Sequence, residues 1–291
     1  MPSSSVILPK CADHAGIGER RRRSLILATL AAPSVAFLAA FFLLPMGRIA
    51  LTVADGPDGL GTYLAVLTHA RYRASLLSTL VMSLGVTAVA LCLCTVVGLF
   101  LTRHRFPGRS LLTAVLTLPL SFPGTVVGFM VIMLAGRQGL VGTLSQMIAG
   151  QRWVFAYSIG GLFLGYLYFS IPRVILAVMA SAQKLDLSLE EAARSLGAPG
   201  WKVVKDVILP GLAPALISSG AICFATAMGA FGTAFTLATE IDVLPMTIYT
   251  EFTLNANVAM AASLSIVLGV ITWGCLLLAR MASTSPAAAA A

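Results

Sequence analysis

Charge is what this chain has least of. Its 291 residues are 10% charged and 58% hydrophobic, whereas a soluble domain carries about 25% charged residues. So little charge cannot cover a water-facing surface, which excludes a soluble globular protein and leaves an integral membrane protein. The formal net charge of +8 does not point to nucleic acid, because the charges lie in short segments between apolar runs. Enzyme signatures are missing too. There is no G-x-x-x-x-G-K-S/T loop and no Gly-Lys dipeptide. The three histidines, His14, His69 and His104, are scattered, so neither a metal cluster nor a triad is visible. No catalytic residue, metal site or cofactor is expected. Of the five cysteines, Cys92, Cys94, Cys223 and Cys275 fall in apolar runs and Cys11 in the N-terminal tail, so no disulfide framework is implied. Asp and Glu are absent from the apolar runs. Proton- and sodium-coupled carriers usually need such groups at membrane depth, so this absence argues against ion coupling.

What the chain does have is apolar length. Six runs are near the roughly 20 residues that a bilayer requires, at about 25–48, 75–101, 110–135, 154–179, 212–238 and 259–280. The fold class is therefore an all-α membrane protein, with a tail over 1–24, a six-span domain over 25–282 and a second tail over 283–291. The basic run Arg20 to Arg23 resembles a signal-peptide start. The apolar run behind it is too long for a signal core, so an uncleaved first span is expected. Six spans put both termini on one side. That side collects Lys10, Arg20, Arg21, Arg22, Arg23, Arg103, Arg105, Arg109, Lys184, Arg194, Lys202, Lys205 and Arg280. The other side has only Arg48, Arg71, Arg73, Arg137 and Arg152. A thirteen-to-five bias places both termini in the cytoplasm. The outer loops, about 53–74, 136–153 and 239–258, are short, and the last is amphipathic.

Helix breakers gather in the middle spans. Pro119, Pro123, Gly124 and Gly128 lie in the third, Gly160, Gly161, Gly165 and Pro172 in the fourth, and Pro214, Gly220, Gly229 and Gly232 in the fifth. Such breaks are tolerated where they are buried in protein or line a wet cavity. A single glycine, as in the Gly161/Gly165 pair, also fits close small-residue packing. As a group they suggest a pathway or a subunit interface. Pro123, Gly124, Gly128, Pro172, Arg173, Gly229 and Gly232 are the candidate pathway or gate residues. Arg173 is the one charge within a span. It either snorkels to the interface or lines the pathway, where it suits an anion better than a cation.

The long polar island between the fourth and fifth spans is residues 185–210, LDLSLEEAARSLGAPGWKVVKDVILP. Ser188 with Glu191 reads as a capping box opening a helix. Leu185, Leu189, Ala192 and Leu196 fall on one stripe. Gly197 suits a left-handed C-cap. Pro199 suits the first turn of a second short helix, which Leu209-Pro210 should end. Helices this short are marginal in water, so they must rest on the bundle, on a partner, or on both.

Glu191-Ala192-Ala193, three residues, Gly197, nine residues and Val207-Ile208-Leu209-Pro210 resemble the EAA signature of permease subunits of ATP-binding-cassette importers, with Val207 in place of Ile. The resemblance runs over most of the chain from the second span onward. It implies the six-span type I importer architecture in a bacterial inner membrane, in which this loop is a coupling helix docked on an ATPase. Leu189, Glu191, Ala192, Ala193, Leu196, Gly197, Leu209 and Pro210 would then carry the coupling, with Trp201 and Pro210 fixing the second helix to the bundle. The implied partners are two ATPase subunits, a second permease subunit (a paralogue or another copy), a periplasmic solute-binding protein and the lipid bilayer, with no nucleic acid. ATP hydrolysis would lie on the separate partner chain. The loop pattern and the outer stretch LPMTIYTEF look like the polyamine, ferric-iron and aminoethylphosphonate group, with a polyamine as first choice and ferric iron, aminoethylphosphonate or another small anion as alternatives. A channel or ion-coupled carrier working without an ATPase remains the reading from another class.

Overall fold

The computed structural model describes residues 26–284 apart from 28, 55, 57, 58, 60 and 238–240. The whole of the expected N-terminal tail and most of the C-terminal tail lie outside the described residues. Among those described, every regular element is a helix, as a membrane demands of a chain that must pair its own backbone. In chain order α1 spans Thr29–Ala54, with a π turn at Ala39–Leu43. α2 spans Gly61–Thr68, α3 Ala70–Arg103, α4 Arg109–Thr117, α5 Gly124–Ala135 and α6 Leu140–Ala149. α7 spans Ile159–Ala182 and α8 Leu187–Ser195. α9 spans Gly200–Met228, α10 Phe231–Leu237, α11 Leu244–Thr253 and α12 Val258–Thr284. Six stretches are long and apolar enough to cross a membrane: α1, α3, α5 with α6, α7, α9 and α12.

Two spans differ in kind from what the sequence suggests. A single helix is expected over 110–135, but α4 ends at Thr117, a 3-10 turn covers Leu118–Ser121, and α5 starts afresh at Gly124. Proline explains the break. Phe122 takes an extended conformation, φ −101° and ψ 132°, as a residue before proline prefers. Pro123, itself extended, then caps α5. The fifth span is expected over 212–238. Instead α9 begins at Gly200 and stops at Gly229, and α10 takes over at Phe231. Pro210 therefore does not end the second short helix. The missing proline N–H is absorbed by a π turn at Val204–Ile208, in which the Leu209 N–H reaches back five residues to the Val204 carbonyl. α7 also starts later than expected, because the Phe155 and Ala156 N–H groups both turn back to the Ala135 carbonyl, at 3.1 Å.

α3, α7 and α9 form the centre of the bundle, with α5 and α10 on one flank and α12 on the other. α1 packs on α12 and is otherwise exposed. Lipid tails are as apolar as leucine, so helices associate through close packing rather than through the hydrophobic effect. The seams show this. A Cβ on Gly98 of α3 would come within 2.8 Å of Val178 on α7, and one on Gly165 of α7 within 2.6 Å of Thr233 on α10. Gly161 differs from its expected partner Gly165, since it is tight against the backbone of its own preceding loop.

Within the expected amphipathic loop, Leu244–Thr253 forms α11, which packs on α3 and α12 and buries Leu244, Pro245, Thr247 and Glu251. A polar clasp holds it. The Ser75 and Thr247 hydroxyls lie 2.7 Å apart, the Leu244 N–H donates to the Thr79 hydroxyl at 2.7 Å, and the Ser78 hydroxyl donates to the Asp242 carbonyl at 2.7 Å. Arg71 stands 3.9 Å from buried Glu251.

Candidate coupling helix and pathway cavity

α8 is built in a different register from the one its capping residues suggest. The N-cap is Asp186, whose Oδ1 accepts the Ser188 N–H at 2.9 Å. Ser188 therefore lies inside the helix and makes no capping box with Glu191. Asp and Ser are equally good N-caps, so two registers compete in the sequence, and burial of the rest of the helix selects one. The Ser188 backbone N–H, and then its side chain, hold the Asp186 carboxyl below the usual carboxylate range.

The selected register turns Glu190, not Glu191, toward the bundle. Glu190 is only 5% exposed. It pairs with Arg103 at the end of α3, and Arg194 lies 3.8 Å from its other oxygen. Ala193 and Ala198 face the same way, against the cluster around Val178, Val203 and Leu212. Leu185 also faces inward, against Gly211, so it does not share the outer stripe. Glu191, Ala192, Leu187, Leu189 and Leu196 point away from the protein, with Leu189 57% and Leu196 89% exposed.

The end of α8 is a Schellman motif. The Ala198 N–H donates to the Ala193 carbonyl and the Gly197 N–H to the Arg194 carbonyl, at 3.1 and 2.9 Å. Gly197 takes φ +80°, where a side chain is strained. α9 follows from its N-cap Pro199. Val203 and Ile208 seat it, while Trp201 is 63% exposed beneath the Lys202 ammonium, 5.9 Å from its ring. Trp201 therefore does not fix the helix to the bundle. It stands two residues from Val203, on the opposite side. Leu209 is exposed and Pro210 half-buried.

At the other end of α9 the two broken spans face each other. A cavity of about 240 Å³ is lined by Pro119 and Gly124 at the first break, Gly229 and Gly232 at the second, and Phe169 and Arg173 of α7. Four of the seven candidate pathway residues thus meet at one site. The others do not line it. Pro123 caps α5, and Pro172 is buried within α7. Gly128 is a packing residue, because a Cβ there would lie 2.8 Å from the Thr236 Cβ of α10.

Sequence reasoning passed over Arg103 with Glu190, and Phe169, Thr226 and Thr233 beside Arg173. Glu190 had one local signal, its four-residue spacing to Arg194. The hydroxyl residues had none.

A model of the binding-protein-dependent transport system inner membrane component matches residues 94–283. The chain is 31% identical over 254 residues to the putative 2-aminoethylphosphonate transport system permease protein PhnU of Salmonella typhimurium, covering 85% of this chain and 89% of that one. It is 30% identical over 255 residues to the sulfate transport system permease protein CysT of Escherichia coli, covering 82% and 89%. A crystal structure of a bacterial alginate ABC transporter, in complex with an alginate pentasaccharide-bound periplasmic protein, aligns with a TM-score of 0.76 at 16% identity, over 91% of this chain and 96% of that one. With the fold, the loop spacing and these matches in agreement, the chain belongs to the inner membrane components of binding-protein-dependent transport systems, the permease subunits of ATP-binding-cassette importers.

Proposed function

We propose that this permease imports a small oxyanion, and that α8 is the piece its ATPase grips. The observation that carries the coupling reading is the set of apolar side chains, Leu187, Leu189, Ala192 and Leu196, left exposed on a helix capped at both ends and pinned by Glu190. A membrane protein gains nothing by holding leucines in water unless something covers them. An interfacial helix resting on lipid needs a larger apolar face and more Lys/Arg.

Two such chains, identical or paralogous, form the pathway. Two ATPase subunits dock on the α8 helices and carry the ATP hydrolysis, and a periplasmic binding protein delivers solute from the far side. The charge bias supports a cytoplasmic position for α8 and both termini. α9 supplies the mechanical link. It runs without interruption from beside α8 to Gly229 at the cavity, a rod of roughly 44 Å at 1.5 Å per residue. A pull on α8 therefore arrives at the break that lines the cavity.

The polyamine expected from the loop pattern finds no support. The relatives above are named for 2-aminoethylphosphonate and sulfate. Both solutes present negatively charged oxygens. The cavity holds an arginine and no carboxylate.

Reconstitution of the permease with and without the ATPase tests the machine. Uptake must require both ATP and the ATPase, and ATP-independent uptake by this chain alone would overturn the reading. Gly197→Asp and Glu191→Lys should each lower uptake at least tenfold while the protein still inserts. Wild-type uptake by both variants would show that α8 does not couple.

A further inference from the structure

We infer that the cavity at Arg173 is a transit site for a tetrahedral or trigonal oxyanion, in which the guanidinium is the single strong donor. The inference rests on the importer reading above and gives its solute a place in the chain.

Arg173 is the one charged side chain of α7 and lies nine residues before the helix end at Ala182, roughly 14 Å along the axis. That is deeper than the sequence-derived end of the span suggests. Charged groups at membrane depth are costly and face protein or a wet cavity. Arg173 faces this one.

Its compensation is partial. Nη1 donates to the Phe169 carbonyl at 3.2 Å, and the Phe169 ring lies 5.6 Å from Cζ. Among the described residues no carboxylate pairs with it. A guanidinium has five N–H donors in a planar fork that matches two oxygens of one anion. One donor is used here.

The rest of the lining is built for passage rather than storage. The Thr226 hydroxyl donates to the Ile222 carbonyl at 2.7 Å, and the Thr233 hydroxyl to the Gly124 carbonyl at 3.0 Å. Neither is free to donate to an anion in this arrangement. Glycines at 124, 229 and 232 present backbone rather than side chain. One fixed cation therefore attracts the solute, and few fixed hydrogen bonds retain it. A conducting site needs this balance, since it must be favourable enough to enter and weak enough to leave. Cationic solutes such as polyamines meet a like charge.

The phosphate of a lipid headgroup offers the same chemistry as a free oxyanion, so the test must separate the two. The complete importer, with its ATPase and binding protein, is reconstituted in digalactosyldiacylglycerol vesicles, whose headgroups carry no phosphate, and in vesicles that also contain phosphatidylglycerol. The uptake probes are sulfate, molybdate, 2-aminoethylphosphonate and spermidine. We expect uptake of at least one anion, a loss of tenfold or more in Arg173→Gln in both vesicle types, and a smaller loss in Arg173→Lys. Thr226→Asp leaves the arginine in place and adds a carboxylate to the same cavity, so it should also lose tenfold or more.

Undiminished anion uptake by both Arg173→Gln and Thr226→Asp overturns the site while leaving the importer reading intact. A loss confined to vesicles with phosphatidylglycerol assigns Arg173 to a lipid headgroup and overturns the site as well. Uptake of spermidine alone, or of none of the anions, by the wild-type importer overturns the anion reading itself. If Arg173→Gln fails to insert, Arg173→Lys and Thr226→Asp decide.

Discussion

Two adjacent glutamates show how much a residue's role depends on the face it occupies. Glu190 is buried against Arg103, and Glu191 is exposed on the outer side of α8. Glu190→Ala should leave Arg103 buried without its partner and cost about 3 kcal/mol, the low end for a broken buried pair, because Arg103 keeps 20% of its side chain exposed. Faster amide exchange across 187–195 and at least tenfold weaker ATPase association are the expected readouts. Glu191→Ala should leave exchange unchanged and weaken only the association. If the two variants behave alike, the two faces have been misassigned. Asp186 makes a separate, pH-dependent contribution. Its folded pKa is lowered, so the stability it lends to α8 is present above the ordinary carboxylate pKa and is lost as pH falls through the lower folded value. Protection of the Ser188 amide should therefore be flat from pH 6 to 8 and fall only in acid, and Asp186→Ala should remove it at neutral pH. The turn at Gly197 was legible in the sequence, because a left-handed helix cap favours glycine over residues with a side chain. The Arg103–Glu190 pair was not, because the partners are 87 residues apart and nothing in either segment names the other.

At the scale of elements, the π turn at Val204–Ile208 sets the angular position of α8 relative to the bundle. It exists beside Pro210, whose ring and missing N–H disfavour an ordinary turn there. Pro210→Ala lets the helix revert to α-helical pairing. Removing one residue of bulge rotates everything before it by about 100° around the α9 axis. We expect this variant to insert, bind ATP-loaded partners and hydrolyse ATP, but to move at least fivefold less solute per ATP. Wild-type coupling in Pro210→Ala would mean that the bulge carries no register. Six apolar runs were readable by length, and their existence survives in the structure. Their continuity was not readable, because proline and glycine mark where a helix can break and not where neighbouring helices will satisfy the broken ends. Pro123 breaks the third span at the cavity, whereas Pro172 and Pro214 sit inside intact helices.

For the whole molecule, orientation is the claim that every mechanical step depends on. With native cysteines replaced, Lys202→Cys should react with a membrane-impermeant maleimide only after the membrane is opened. Arg137→Cys should react from outside in intact cells. The opposite pattern would turn the molecule over and remove α8 from any ATPase. The cavity lies between the two ends probed in this way. It is bounded by three helices that belong to different parts of the chain, α5, α7 and α10, and α9 stops at its edge. A force applied at one end of the molecule can therefore change the shape of a site far from it without unfolding any element.

The exposed leucines of α8 also have a consequence for the life of the protein in a cell. On the docking proposed above, a permease without its partner leaves Leu187, Leu189 and Leu196 uncovered. A protease or chaperone that surveys the membrane reads such a patch as unfolded chain. If α8 is the docking site proposed above, an unassembled copy advertises its own incompleteness, and docking of the ATPase silences the signal. The steady-state amount of this permease should follow the supply of its partner rather than its own rate of synthesis.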